Sequence, residues 1–140
     1  MDLWKHFCAS AILAAMLFPL VGWMSLFSYV TGFFIDIDHI IYYVCRHRKA
    51  DLAACYAFFK GISKNNRQQY LVSMRWFHYI EFGILLIFLS YLHPAFFVLA
   101  VSFFVHILMD MIEEERIFGF IKNYSLFEVL SRKRGKKNKS

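Results

Sequence analysis

No lysine or arginine stands between Lys5 and Arg46, and none between Arg75 and Arg116, although the chain of 140 residues carries 16 of them. Two blocks of 40 residues each are therefore free of basic charge. As helix, each would run roughly 60 Å, about twice the hydrocarbon thickness of a bilayer. Each block is long enough for two spans. The first carries "FPLVGW" near its middle and the second carries "SYLHPAF", and proline and glycine are the usual helix breakers. Both blocks read as helical hairpins.

Composition agrees, since 59% of the residues are hydrophobic and 17 are Phe, against an apolar share of roughly 45–50% in soluble domains. The expectation is an all-α integral membrane protein. Its two hairpins give four short transmembrane helices, about 3–18, 22–37, 76–92 and 95–112, in a single domain over 1–130. The basic residues cluster in the loop 46–75 and in the tail 131–140, "SRKRGKKNKS". By the positive-inside rule these lie in the cytoplasm together with both termini; the expected location is a bacterial or archaeal cytoplasmic membrane. The N-terminal stretch resembles a signal peptide, but Asp2 weakens its charged region and no small-residue cleavage site follows, so it is expected to remain. Cys8, Cys45 and Cys55 form neither a zinc-like CxxC pair nor a disulfide framework.

Between the hairpins, "KADLAACYAFFKGISKNNRQQYLVSMR" has apolar residues at helical spacing and then a polar turn, which predicts an interfacial helix followed by a loop. The basic tail suits anionic lipid headgroups. Membrane lipids are therefore the expected partners, and nucleic acid is not expected.

Ionisable side chains inside a membrane segment cost a few kcal/mol each and point to function. On this topology they gather at one level. His6 opens the first span, Asp36, Asp38 and His39 close the second, His78 and Glu81 open the third, and His106 and Asp110 close the fourth. The hairpins rest on basic residues and breakers alone, so this convergence is independent support. Asp36 and His39, and His78 and Glu81, are i,i+3 pairs, while His106 and Asp110 are i,i+4, each spacing placing both on one helix face. Imidazole nitrogens and carboxylate oxygens on facing helices are what zinc or a similar divalent ion requires. Blander alternatives stand beside this for each group: an interfacial His6, a helix cap formed by Asp36, Asp38 and His39, an ion pair of His78 with Glu81, and an internal hydrogen bond between His106 and Asp110. His93, beside Pro94 at the opposite turn, is expected at the surface, and His47 near headgroups.

The segments "FFIDIDHII", "MRWFHYIEF" and "FVHILMDMI" together resemble the YdjM-like membrane-bound metal-dependent hydrolases. That family's pattern is an early histidine, Pro-Asp-x-Asp-His, His-Arg-Gly-x-Thr-His and His-x-x-x-Asp. The resemblance covers about residues 1–114. It maps the early histidine to His6, the acidic segment to Asp36, Asp38 and His39, the middle motif to Arg75 and His78, and the last to His106 and Asp110. Ile35, Met74, Trp76 and Phe77 stand where the pattern has proline, histidine, glycine and threonine.

The resemblance implies a hydrolase whose ion, expected to be zinc, is held by Asp36, His78, His106 and Asp110, with His39 and His6 either as further ligands or as supports behind the ligands. Asp38 or Glu81 would accept a proton from water, and Arg75 would hold a phosphate oxygen of a lipid or lipid-linked phosphoester. The alternative is a non-catalytic membrane protein that binds a structural metal or a lipid headgroup and recruits a partner. A metal transporter is disfavoured, because all the polar groups sit at one end.

Overall fold

The computed structural model describes residues 3–65, 76–119 and 124–127. All of its regular structure is helical, with no strand among the described residues. Arg75, Met74, the last part of the loop 46–75 and the basic tail lie outside the described residues.

Helix α1 covers Leu3–Val21. It ends where Gly22 adopts a φ of 59°, a left-handed backbone that glycine takes without the Cβ penalty. The chain then winds as a 3-10 turn over Gly22–Phe27 and continues as α2, Ser28–Phe33. A second 3-10 turn, Phe34–Asp36, leads into α3, Ile37–His47. Two helical stretches, Trp4–His47 and Pro94–Ile117, are long and apolar enough to cross a membrane. The first is not one rod. Ser28 Oγ donates to the Ser10 carbonyl at 3.1 Å, so α2 folds back on α1. Only Gly32 lets them meet this closely, because a Cβ there would collide with Ser10 Oγ. The expected helix 22–37 is thus half 3-10 in character.

Helix α4, Leu52–Asn65, follows an N-terminal turn in which Asp51 Oδ1 accepts from Ala54 N at 3.0 Å, an ordinary capping interaction. This matches the helix predicted between the hairpins. It packs on α3 through aromatic rings, with Phe58 against Tyr43 and His47, and Phe59 against His39. Beyond the undescribed segment, Trp76–His78 forms a 3-10 turn and Tyr79 is extended. Helix α5 then covers only Ile80–Ser90. Its 11 residues amount to about 16 Å, well short of a ~30 Å hydrocarbon core. Helix α6 is the longest, Pro94–Phe118. Proline sits at its first turn, where a missing N–H costs nothing, and the exposed His93 caps it by accepting from Ala95 N.

Helices α5 and α6 pack around Ile35, Leu86, Ala100, Phe103 and Ile107. Between α1, α2 and α6 the contact is polar instead. Ser102 Oγ donates to the Ser28 carbonyl at 2.7 Å and Thr31 Oγ1 to the Leu99 carbonyl at 3.3 Å. Hydroxyls and small residues are what draw helices together where the surroundings are as apolar as the side chains. Among the described residues the buried set holds thirteen polar or charged side chains against eleven hydrophobic ones, while Leu20, Trp23, Phe88 and Leu92 are 67–78% exposed. That distribution is the reverse of a soluble core and suits a lipid exterior.

Candidate metal centre

The start of α1, the turn before α3, the turn before α5 and the middle of α6 meet in one buried cluster. Asp36, His78, His106 and Asp110 each direct one ligand atom into it, all within 4.8 Å of one another. His78 Nε2 lies 3.3 Å from Asp36 Oδ1 and 3.4 Å from Asp110 Oδ2. His106 Nε2 lies 3.6 Å from each of the same two oxygens. The two imidazole Nε2 atoms are 3.4 Å apart. Zinc-to-ligand distances of about 2.0–2.2 Å correspond to tetrahedron edges of about 3.3–3.6 Å. The five nitrogen-centred distances above all fall in that range, and the two oxygens lie within 4.8 Å of each other.

The protons are arranged to match. His78 Nδ1 sits 2.9 Å from Asp38 Oδ2, so the proton belongs on Nδ1 and the Nε2 lone pair faces the cluster. A carboxylate behind a ligating imidazole fixes its tautomer and orientation. Asp38 is 2% exposed and its Oδ2 also accepts from Phe77 N at 3.4 Å. It is therefore neither a cap nor a water-facing group. Asp36 occupies the position before α3 yet makes no side-chain capping bond. Its Oδ1, buried and without a hydrogen-bond partner, is turned to the two histidines. The donor set, two imidazoles and two carboxylates, fits a borderline ion such as zinc.

His39 and His6 stand at opposite sides of the four. His39 Nε2 is 3.8 Å from Asp36 Oδ1 and its Nδ1 is 3.7 Å from Asp38 Oδ1. Its ring lies between those of Phe59 and His78, at 4.8 and 5.3 Å, so α4 covers this side. His6 Nε2 is 3.4 Å from Asp110 Oδ1 and its ring lies 4.2 Å from that of His106. Asp110 thus turns one oxygen to each neighbour.

Glu81 is not part of this centre. Its carboxylate accepts from Ser125 Oγ at 2.8 Å, Leu126 N at 3.1 Å and Phe127 N at 3.3 Å. The i,i+3 spacing from His78 does not carry it to the same face, because extended Tyr79 breaks the helix between them. Its place is to hold the chain after α6 against α5, where Ile80 N also donates to the Tyr124 carbonyl at 2.8 Å. Arg75 lies outside the described residues.

Sequence reasoning missed Glu113. It joins His6 and Asp110 in a second group of possible ligands, and its i,i+3 relation to Asp110 was the available signal. It missed Ser10 and Ser102 as well, which line with His6 and His106 a cavity of about 10 Å³. Comparison of the chain with protein-family models, with curated proteins and with solved structures yields no match.

Proposed function

We propose that this chain is a membrane-embedded hydrolase whose Asp36, His78, His106 and Asp110 hold a divalent ion, with zinc as the ion the donors suit. It would cleave a phosphoester of a lipid or lipid-linked substrate at the cytoplasmic face. The topology would be that of two hairpins of membrane-embedded helices, α5 reaching only part of the way across, with both termini and the basic loop in the cytoplasm. The observation that carries the reading is the buried tetrahedron of donor atoms with Asp38 behind His78.

A bound ion would supply Lewis acidity, polarising a phosphoryl oxygen and making water acidic near neutral pH. The chain's own residues divide the remaining work. Asp38 keeps the His78 proton on Nδ1 and so orients the ring. It is a positioning residue, since its Oδ2 is engaged by His78 Nδ1 and Phe77 N. Phe59 and α4 cover His39 and limit water at that side.

One observation favours a second reading, a structural metal in a non-catalytic membrane protein. All four donors come from the protein, and their side chains are only 1–10% exposed, whereas catalytic zinc usually keeps one position open.

Metal analysis of the protein purified in detergent tests the centre, and phosphoester release from lipid extracts with and without chelator tests the activity. Stoichiometric metal with chelator-sensitive release is expected. Metal without release would leave the structural reading standing, and no uptake of metal would end both. Labelling the exposed Cys45 from each side of the membrane tests orientation. Reaction from the outside alone would overturn the cytoplasmic placement.

A further inference from the structure

The inner tetrahedron leaves a hydrolase with nowhere to admit water and substrate. Immediately beside it is a second set of donors, His6, Asp110 and Glu113, of which Glu113 is partly exposed. His6 Nε2 faces Asp110 Oδ1 at 3.4 Å, while Asp110 Oδ2 faces His78 and His106. A carboxylate that presents each oxygen to a different imidazole group has the arrangement of a bridge between two cations. Glu113, one turn further along α6, supplies the third donor of this outer group.

Three features mark the outer group as a cation position. The His6 ring is 4% exposed, so its Nε2 cannot turn to bulk water. Its Nδ1 is buried without a hydrogen-bond partner in the protein, and His6 lines the cavity of about 10 Å³ shared with Ser10, Ser102 and His106. That volume is near the lower limit of about 10–15 Å³ for one water. A proton on Nδ1 donated to such a water would leave the Nε2 lone pair facing Asp110, an orientation that a cation between them would make favourable. Finally, Lys5 Nζ approaches Glu113 Oε1 to 3.3 Å, so positive charge already collects at the outer rim.

Exposure then sets Glu113 apart from the other donors of both groups. The inner donors are at most 10% exposed, whereas the Glu113 side chain is 22% and that of Lys5 57% exposed. We propose that the chain holds a second divalent ion at His6, Asp110 and Glu113, sharing Asp110 with the inner ion. Three protein ligands leave this outer position open for water and a phosphate oxygen, and Lys5 acts as a tethered competitor for it. The proposal rests on the hydrolase reading, and assigns the closed site to structure and the open one to chemistry.

Zinc titration of the purified full chain, followed by calorimetry and metal analysis, tests it. Wild type is expected to bind two equivalents, one tight and one weaker. Glu113→Gln is expected to keep the tight equivalent, which also shows that it folds, and to weaken the other at least 30-fold. Lys5→Met is expected to tighten the weaker equivalent about fivefold. Protein loaded with manganese should show a magnetically coupled pair in its electron paramagnetic resonance spectrum. Saturation at one equivalent, a second equivalent that Glu113→Gln leaves unchanged, or two uncoupled ions would overturn the shared site while sparing the inner one. Binding of no metal at all would instead remove the inner centre on which the proposal stands.

Discussion

His78 Nδ1 lies 2.9 Å from Asp38 Oδ2, and this contact turns the other ring nitrogen into the cluster. Removing a partner of this kind typically weakens metal binding 10–100-fold. Asp38→Asn is expected to bind the inner ion with affinity reduced by that order and with stoichiometry unchanged. Competition against a chromophoric chelator measures both. An unchanged affinity would show that Asp38 does not orient His78.

Metal removal should cost stability, because the inner donors come from three separate parts of the chain, the turns before α3 and α5 and the middle of α6. A protein held at 100 times its metal dissociation constant gains about 2.7 kcal/mol, worth about 5–10 °C for a chain of this size. Chelator should lower the melting temperature in detergent by that amount. His106→Ala combined with Asp110→Ala should start lower and respond to neither metal nor chelator.

Glu81 offers a contrast within the same turn of structure. Glu81→Ala should leave metal content intact while freeing the segment 124–127, at a cost of about 1–3 kcal/mol for the lost charge-assisted bonds. Amide exchange at Leu126 and Phe127 is the direct readout. Loss of metal in this variant would return Glu81 to the site.

The contact of Gly32 with Ser10 predicts a rescue. Gly32→Ala should destabilise by about 1–3 kcal/mol through overpacking, since its methyl group meets Ser10 Oγ. Adding Ser10→Gly should recover most of that loss if the collision is its cause. Thermal unfolding of the two single variants and the double variant measures the coupling.

The meeting of His6, Asp36, His78, His106 and Asp110 was legible in the sequence because it needed only the two basic-free blocks and a reversal at each breaker. The roles of Asp38 and Glu81 were not, and for one reason. Both spacing rules assume 100° per residue, but Phe34–Asp36 and Trp76–His78 wind as 3-10 turns and Tyr79 is extended. Crossing such a stretch shifts the phase, which carries Asp38 inward and Glu81 outward. The seam of Ser10, Ser28 and Ser102 was hidden differently. A hydroxyl that donates to a carbonyl on another helix has no local signature, and small residues at helical spacing are common in any apolar helix.

The seam also implies an order of events during synthesis. Ser28 bonds to Ser10 across 18 residues, whereas Ser102 reaches Ser28 across 74. Segments fold as they emerge, N-terminal first, so α1 and α2 can pair while α6 is still unmade. His6 and Asp36 then wait as half a centre, with the carbonyl of Ser28 still open to α6. A nascent chain halted before residue 106 would have the first hairpin in place but would lack His106 and Asp110, two of the four inner donors. The inner donor set is therefore complete only once α6 has joined the first hairpin.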